Sequence, residues 1–185
     1  MNKNLLLPLL AVFIALLGVS CVKDTDFSQT DEITLTPVVE LNLIHFDLDA
    51  GEFFDETTST PRLTIVDTTE IRFLDDEGFQ ESLIRAEFLF RFTNSIPRSF
   101  EVDYEFVSED NEITYMTSTA VNEGSIAAPV VTEDEKVLEG QDILNVTSAN
   151  RVVVRVTIPS ANAALEGNLN LKSKTTYFLE VRERE

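Results

Sequence analysis

The chain reads as an all-β protein, an antiparallel β-sandwich, and three observations carry that expectation. From residue 33 onward apolar residues recur at every second position, the pattern of strands with one buried and one wet face. Turn-forming stretches such as "NSIPRS" and "SEDNE" punctuate these runs. Helical periodicity is scarce: "SANAALEG" is the main candidate, with Ser160 as N-cap and Gly167 as stop, and "GQDILNVTSAN" adds a turn. Strands at this density without long helices make a sandwich of roughly eight to ten strands. Immunoglobulin-like topology is the expected strand order. A closed β-barrel is the alternative, because a single polar face suits both.

The first body strand carries a phase slip. Ile33, Leu35, Val39, Leu41 and Leu43 are odd-numbered, whereas Ile44, Phe46 and Leu48 are even. A β-bulge near Leu43–Ile44, or two separate strands, accounts for it. Shorter candidates follow at residues 62–66 and 70–74. In "LIRAEFLFRFT", Ile84, Ala86, Phe88, Phe90 and Phe92 share one face, opposite Arg85, Glu87, Arg91 and Thr93. In "FEVDYEFV", Phe100, Val102, Tyr104 and Phe106 oppose Glu101, Asp103 and Glu105. Pro97 lies between these two runs, where its fixed φ and missing N–H suit a turn, so the pair reads as a β-hairpin. That pairing sets Arg85 and Arg91 near carboxylates of the second strand. "SEDNE" leads into Ile113 and Tyr115, and residues 125–131 and 151–158 are further candidates. In the last of these Val152, Val154, Val156 and Ile158 alternate inward. Finally, Leu169, Leu171, Tyr177, Leu179 and Val181 share the core face of "GNLNLKSKTTYFLEVRE", with Phe178 the apolar exception on the wet side.

The N-terminal residues have another character. "MNKNLLLPLLAVFIALLGVSC" has one positive charge, Lys3, then an apolar run from Leu5 to Val19 that is short for a membrane span and has the proportions of a signal peptide. Ser20 and then Cys21, the single cysteine, follow it. This segment resembles bacterial lipoprotein precursors, in which a small residue precedes a cysteine that is lipidated and becomes the new N-terminus. Gly18 departs from the pattern, which usually has Leu, Val or Ile there. Ordinary cleavage leaving a free thiol is the competing reading. "CVKDTDFSQTDE", with Lys23, Asp24 and Asp26, is similar to the tags of surface-exported lipoproteins of Bacteroidota-type bacteria. The resemblance implies lipid on Cys21, attachment to the bacterial envelope and placement at the outer membrane, on its outer or periplasmic face. Residues 1–20 are then a signal peptide, 21–32 a polar tether and 33–185 the β-sandwich domain. Fully extended, a tether of a dozen residues spans about 40 Å.

Charge narrows the partners. Thirty-three acidic residues against 14 basic ones give a formal charge of −19. Phosphate backbones and anionic headgroups repel such a body, so no nucleic-acid partner is expected and membrane attachment falls to the lipid. One Cys and one His leave no disulfide framework and no zinc site built from several such ligands.

Candidate sites are few. His45 is the single imidazole, and no G-x-S-x-G elbow accompanies it, so it reads as a structural strand residue rather than part of a Ser–His–acid triad. "DLDAGEFFDE" concentrates Asp47, Asp49 and Asp55, with Glu52 and Glu56, in an expected loop where carboxylates could wrap Ca²⁺, although the EF-hand spacing fails. "LDDEG" offers Asp75, Asp76 and Glu77 in a second turn. Phe53 and Phe54 are expected to plug one end of the sandwich rather than form an exposed patch. "DTT" at residues 67–69 resembles the O-glycosylation sequon of Bacteroidota-type exported proteins, with Thr68 as acceptor. Trp is absent, which argues against sugar subsites. The function expected is therefore a non-enzymatic, lipid-anchored envelope protein that binds an unidentified envelope partner or serves as its accessory. It needs no cofactor, unless Ca²⁺ joins the acidic loop. A calcium-stabilised adhesion module and a fimbrial-type structural subunit are the alternatives.

Overall fold

Alternation is cleanest at Phe100, Val102, Tyr104 and Phe106, all buried, with Glu101 exposed and Asp103 and Glu105 half-exposed between them. The computed structural model describes residues 34–71 and 76–182. Two units divide the chain, Thr34–Val181 and a second of Met1–Ile33 with Arg182–Glu185. The first holds the β-structure below, apart from Arg182 at the end of the last strand. Cys21, the signal peptide and the tether lie outside the described residues, as do Ile33 and Asp75.

The strands are β1 (Thr34–Leu35), β2 (Val38–Asp49), β3 (Phe54–Asp55), β4 (Thr60–Pro61), β5 (Thr64–Glu70), β6 (Leu83–Asn94), β7 (Phe100–Val107), β8 (Ile113–Val121), β9 (Val130–Glu139), β10 (Arg151–Thr157), β11 (Asn168–Leu179) and β12 (Val181–Arg182). Eight long strands form two four-stranded antiparallel sheets, ordered β2-β11-β6-β9 and β5-β10-β7-β8. The protein is thus an all-β antiparallel sandwich. Among the described residues each sheet has two free edges, which excludes the closed barrel. The immunoglobulin-like order is corrected too. The first long strand lies beside the last, and of the consecutive long strands only β7 and β8 are neighbours in one sheet. Every other connection crosses between sheets, which is the jelly-roll arrangement.

The core explains the crossings. β6 and β7 do not form the expected hairpin; they face each other across the sandwich. Phe88 stacks on Phe106 with centroids 5.5 Å apart, and Phe90 on Tyr104 at 4.1 Å. Side by side in one sheet these aromatic faces would point the same way and need another partner. The turn between the strands is built for the crossing. Buried Asn94 accepts the Ile96 N–H through Oδ1 and donates through Nδ2 to the carbonyls of Arg98 and Asn122, all at 2.8 Å. Arg85 and Arg91 accordingly find Glu139 and Glu133 on β9, not on β7, and Arg85 also meets Glu87 on its own strand.

The phase slip in β2 is a β-bulge. His45 pairs with Lys172 and Asn42 with Lys174, so Leu43 and Ile44 together oppose Ser173. A second irregularity corrects the β6 pattern. Leu83 pairs with Leu179 and Arg85 with Phe178, which leaves Ile84 bulged out and 50% exposed while Leu83 takes the core position. Val181 is exposed as well, because the chain leaves the β11 ladder at Glu180 and the alternation is not carried past it.

Helices differ from expectation in two places. "SANAALEG" forms no helix: the Asn162 side chain accepts the Ala164 N–H at 2.9 Å and its carbonyl accepts that of Leu165, a local turn that competes with helix. A helix at Glu77–Ser82 stands where the second acidic turn was expected, with Asp76 capping the Phe79 N–H at 2.8 Å. The "GQDILNVT" stretch does form a short helix, Gln141–Thr147. β9 also extends well past residue 131. Its pattern is masked in the sequence because inward-facing positions carry Asp134 and Lys136.

Candidate functional site: a cleft on one flank of the sandwich

The two flanks of the sandwich are closed differently. Where β8 meets β9, polar side chains bridge the sheets. Thr119 Oγ1 donates to Asp134 Oδ2 at 2.7 Å and the Asn122 N–H donates to Thr132 Oγ1 at 3.2 Å, while Lys136, on β9 itself, pairs with Asp134 at 2.9 Å. Inward-pointing charges of this kind also protect an edge strand from pairing with other chains.

Where β2 meets β5 the flank is open. A cleft of about 220 Å³ enters between the sheets. Its walls are apolar: Phe46 and Leu48 from β2, Ile65 and Val66 from β5, Val154 and Val156 from β10. The bulge is what brings the β2 residues here. By shifting the alternation from odd to even, it turns Phe46 and Leu48 to the interior and His45 and Asp47 to solvent. Two carboxylates, Glu52 and Asp67, complete the lining. Each has one oxygen held by backbone: Glu52 Oε1 accepts the Asp49 N–H at 3.1 Å, and Asp67 Oδ1 accepts the Thr68 N–H at 2.8 Å. Glu52 sits in a 3₁₀ turn, Ala50–Phe53, that follows directly on β2.

The sequence-predicted acidic residues are not gathered into one loop. Asp47 and Asp49 belong to β2, not to a loop, and Asp47 is hydrogen-bonded to the Asn168 side chain. Asp55 lies in β3, where its Oδ1 accepts the backbone N–H groups of Thr57 and Thr58 at 2.9 and 3.2 Å. Those bonds, that from Thr58 first, hold the Asp55 carboxyl below the usual carboxylate range. Among the described residues no group of three His, Cys, Asp or Glu is placed to hold a metal ion. His45 is exposed on β2. Phe53 is fully buried, its ring 5.5 Å from Phe100, and Phe54 is half-buried, so this pair does plug an end of the sandwich. Thr68 is exposed on the edge strand β5.

Sequence reasoning missed the cleft as a site. Phe46, Ile65 and Val154 read as ordinary core positions, and each is one. Only the pairing of β10 with β5, and of β2 with β11, decides that these core residues end at an open flank. The adjacent motifs were visible, since Glu52 lies in the acidic stretch and Asp67 begins "DTT".

No family model matches the chain, and no curated protein matches it. Among solved structures the chain is similar to the VP2 protein of infectious bursal disease virus, seen in a subviral particle, at 8% identity and a TM-score of 0.46, over 77% of this chain and 32% of that one. It is also similar to a provisionally named secreted protein of Parabacteroides distasonis, at 13% identity and a TM-score of 0.46, over 66% of this chain and 38% of that one. The chain therefore spans about a third of the length of these solved chains.

Proposed function

We propose that the chain is a lipid-anchored protein of the bacterial envelope, held at the outer membrane through Cys21, and that its jelly roll is a non-enzymatic binding or accessory module for another envelope component. The observation that carries the binding role is the asymmetry of the flanks. Polar bonds close the β8/β9 side, whereas apolar interior residues remain reachable on the β2/β5 side. An apolar, concave surface with a few fixed polar groups is the usual form of a recognition site. The anchor is supported by the apolar run ending at "VSC" and by the strongly acidic body, which anionic headgroups repel.

Fractionation of cells tests the placement. Wild-type protein is expected with the membranes and Cys21→Ala in the soluble fraction. The mature N-terminus should also carry the mass of a lipid modification. An unmodified N-terminus, or identical fractionation of the two proteins, would remove the anchor.

A further inference from the structure

We infer that the β2/β5 cleft takes an extended segment of a partner protein laid along the edge of β5, with an apolar side chain in the cleft and a lysine or arginine against Glu52 and Asp67. The inference rests on the binding role proposed above and names the chemistry of the partner.

Three observations lead there. The first is size. Whole small-molecule sites commonly occupy about 300–1,000 Å³. This cleft, at about 220 Å³, suits a single large side chain better than a free ligand.

The second is the backbone beside it. The Leu63 carbonyl accepts the Ile158 N–H at 3.0 Å, and the Ile71 N–H donates to the Asn150 carbonyl at 2.9 Å. With Thr64 opposite Thr157 and Glu70 opposite Arg151, odd-numbered residues of β5 spend their backbone groups on β10. Among the described residues Val66 therefore turns its N–H and C=O to an unpaired edge at the rim of the cleft, while its neighbours Ile65 and Asp67 share the face of Val156 and Val154. The N–H of Thr68 is already met by Asp67, so the stretch free for strand addition is short and centred on Val66.

The third is charge. Both polar residues of the lining are carboxylates. A second copy of this chain, at −19, would bring like charge to an acidic rim, whereas a basic segment complements it.

The test uses the full mature protein in detergent and fluorescein-labelled, end-capped hexapeptides read by anisotropy. Lys-Val-Lys-Val-Lys-Val is expected to bind at least tenfold more tightly than Glu-Val-Glu-Val-Glu-Val and than Lys-Ser-Lys-Ser-Lys-Ser. The double variant Glu52→Gln/Asp67→Asn should weaken the Lys-Val peptide at least tenfold. Glu101→Gln/Asp103→Asn, which removes the same charge from the outer face of β7, should leave it unchanged. Val66→Pro deletes an outward N–H that β10 does not use, so it should fold by circular dichroism and bind the peptide more weakly. Equal effects of the two double variants, or equal binding of the Lys-Ser peptide, would reduce the interaction to general attraction by an acidic protein and overturn the inference. No binding of any peptide would also overturn it, as would a concentration-dependent dimer that Val66→Pro abolishes, since the edge would then belong to a second copy. None of these results bears on whether Cys21→Ala leaves the membrane, so failure here and failure of the anchor are separable.

Discussion

The hydroxyl of Ser173 satisfies both backbone groups of Ile44. Its Oγ accepts the Ile44 N–H and donates to the Ile44 carbonyl, each at 2.7 Å. A bulge leaves one residue without a backbone partner in the ladder, and buried backbone groups without partners are costly. Here the serine opposite the bulge supplies what the neighbouring strand cannot. The consequence reaches the cleft, because this bulge aims Phe46 and Leu48 inward.

Ser173→Ala should therefore cost about 2–3 kcal/mol, the penalty for leaving a buried donor and acceptor unmet. The midpoint of urea denaturation should fall with its slope unchanged. A loss below about 0.5 kcal/mol, the range of an ordinary surface change, would mean that the bulge does not depend on this hydroxyl.

Tyr104 makes a different prediction. Its ring is fully buried against Phe90, and its hydroxyl has no hydrogen-bond partner among the described residues. Burial pushes its pKa far above the ordinary value of 10, and the Asp134 carboxylate, which takes the Thr119 hydroxyl proton, pushes it the same way. A group whose pKa is raised on folding contributes stability that is complete below its unfolded pKa and is lost as pH climbs past it. Wild-type protein should thus lose stability above pH 10, and Tyr104→Phe should lose about 1 kcal/mol less between pH 10 and 11. Tyr177, also buried and also raised, retains its own share of the alkaline loss in that variant. Parallel pH profiles for the two proteins would mean that Tyr104 ionises without unfolding the core.

Glycine at position 124 is set by space. A Cβ there would stand 1.9 Å from the Asn94 carbonyl oxygen, on the turn that carries the chain between sheets. Gly124→Ala should destabilise by about 1–3 kcal/mol through overpacking against rigid backbone. Gly51→Ala, where nothing lies within 4 Å of the added methyl, should change stability by less than about 0.5 kcal/mol. Thermal denaturation of the two variants side by side separates a steric requirement from a general intolerance of alanine.

Particular elements show where reading the sequence worked. Alternation at Val102, Tyr104 and Phe106, and at Val152, Val154 and Val156, placed strands and their buried faces correctly, because which face of a strand is apolar is written residue by residue. The odd-to-even slip at Leu43–Ile44 was legible for the same reason, although it fitted a bulge or two separate strands until the pairing with β11 decided for the bulge. Reading failed where a tertiary contact overrides the local pattern. Ile84 looks like a core residue, yet the register between β6 and β11 expels it. Asp134 and Lys136 hide a strand because their charges are met inside the flank by Thr119 and by each other.

What the chain's own order of residues determined is the strand inventory, the polarity of each face and the acidity of the body. These depend on neighbours one or two positions away. What only the tertiary structure decided is which sheet each strand joins, and therefore that β6 faces β7 across the core, that β2 lies beside β11, and that one flank is laced while the other stays open. Those outcomes rest on contacts between residues far apart in the chain, such as Ile44 with Ser173 and Phe90 with Tyr104, whose energies are comparable in several pairings until the whole core is packed.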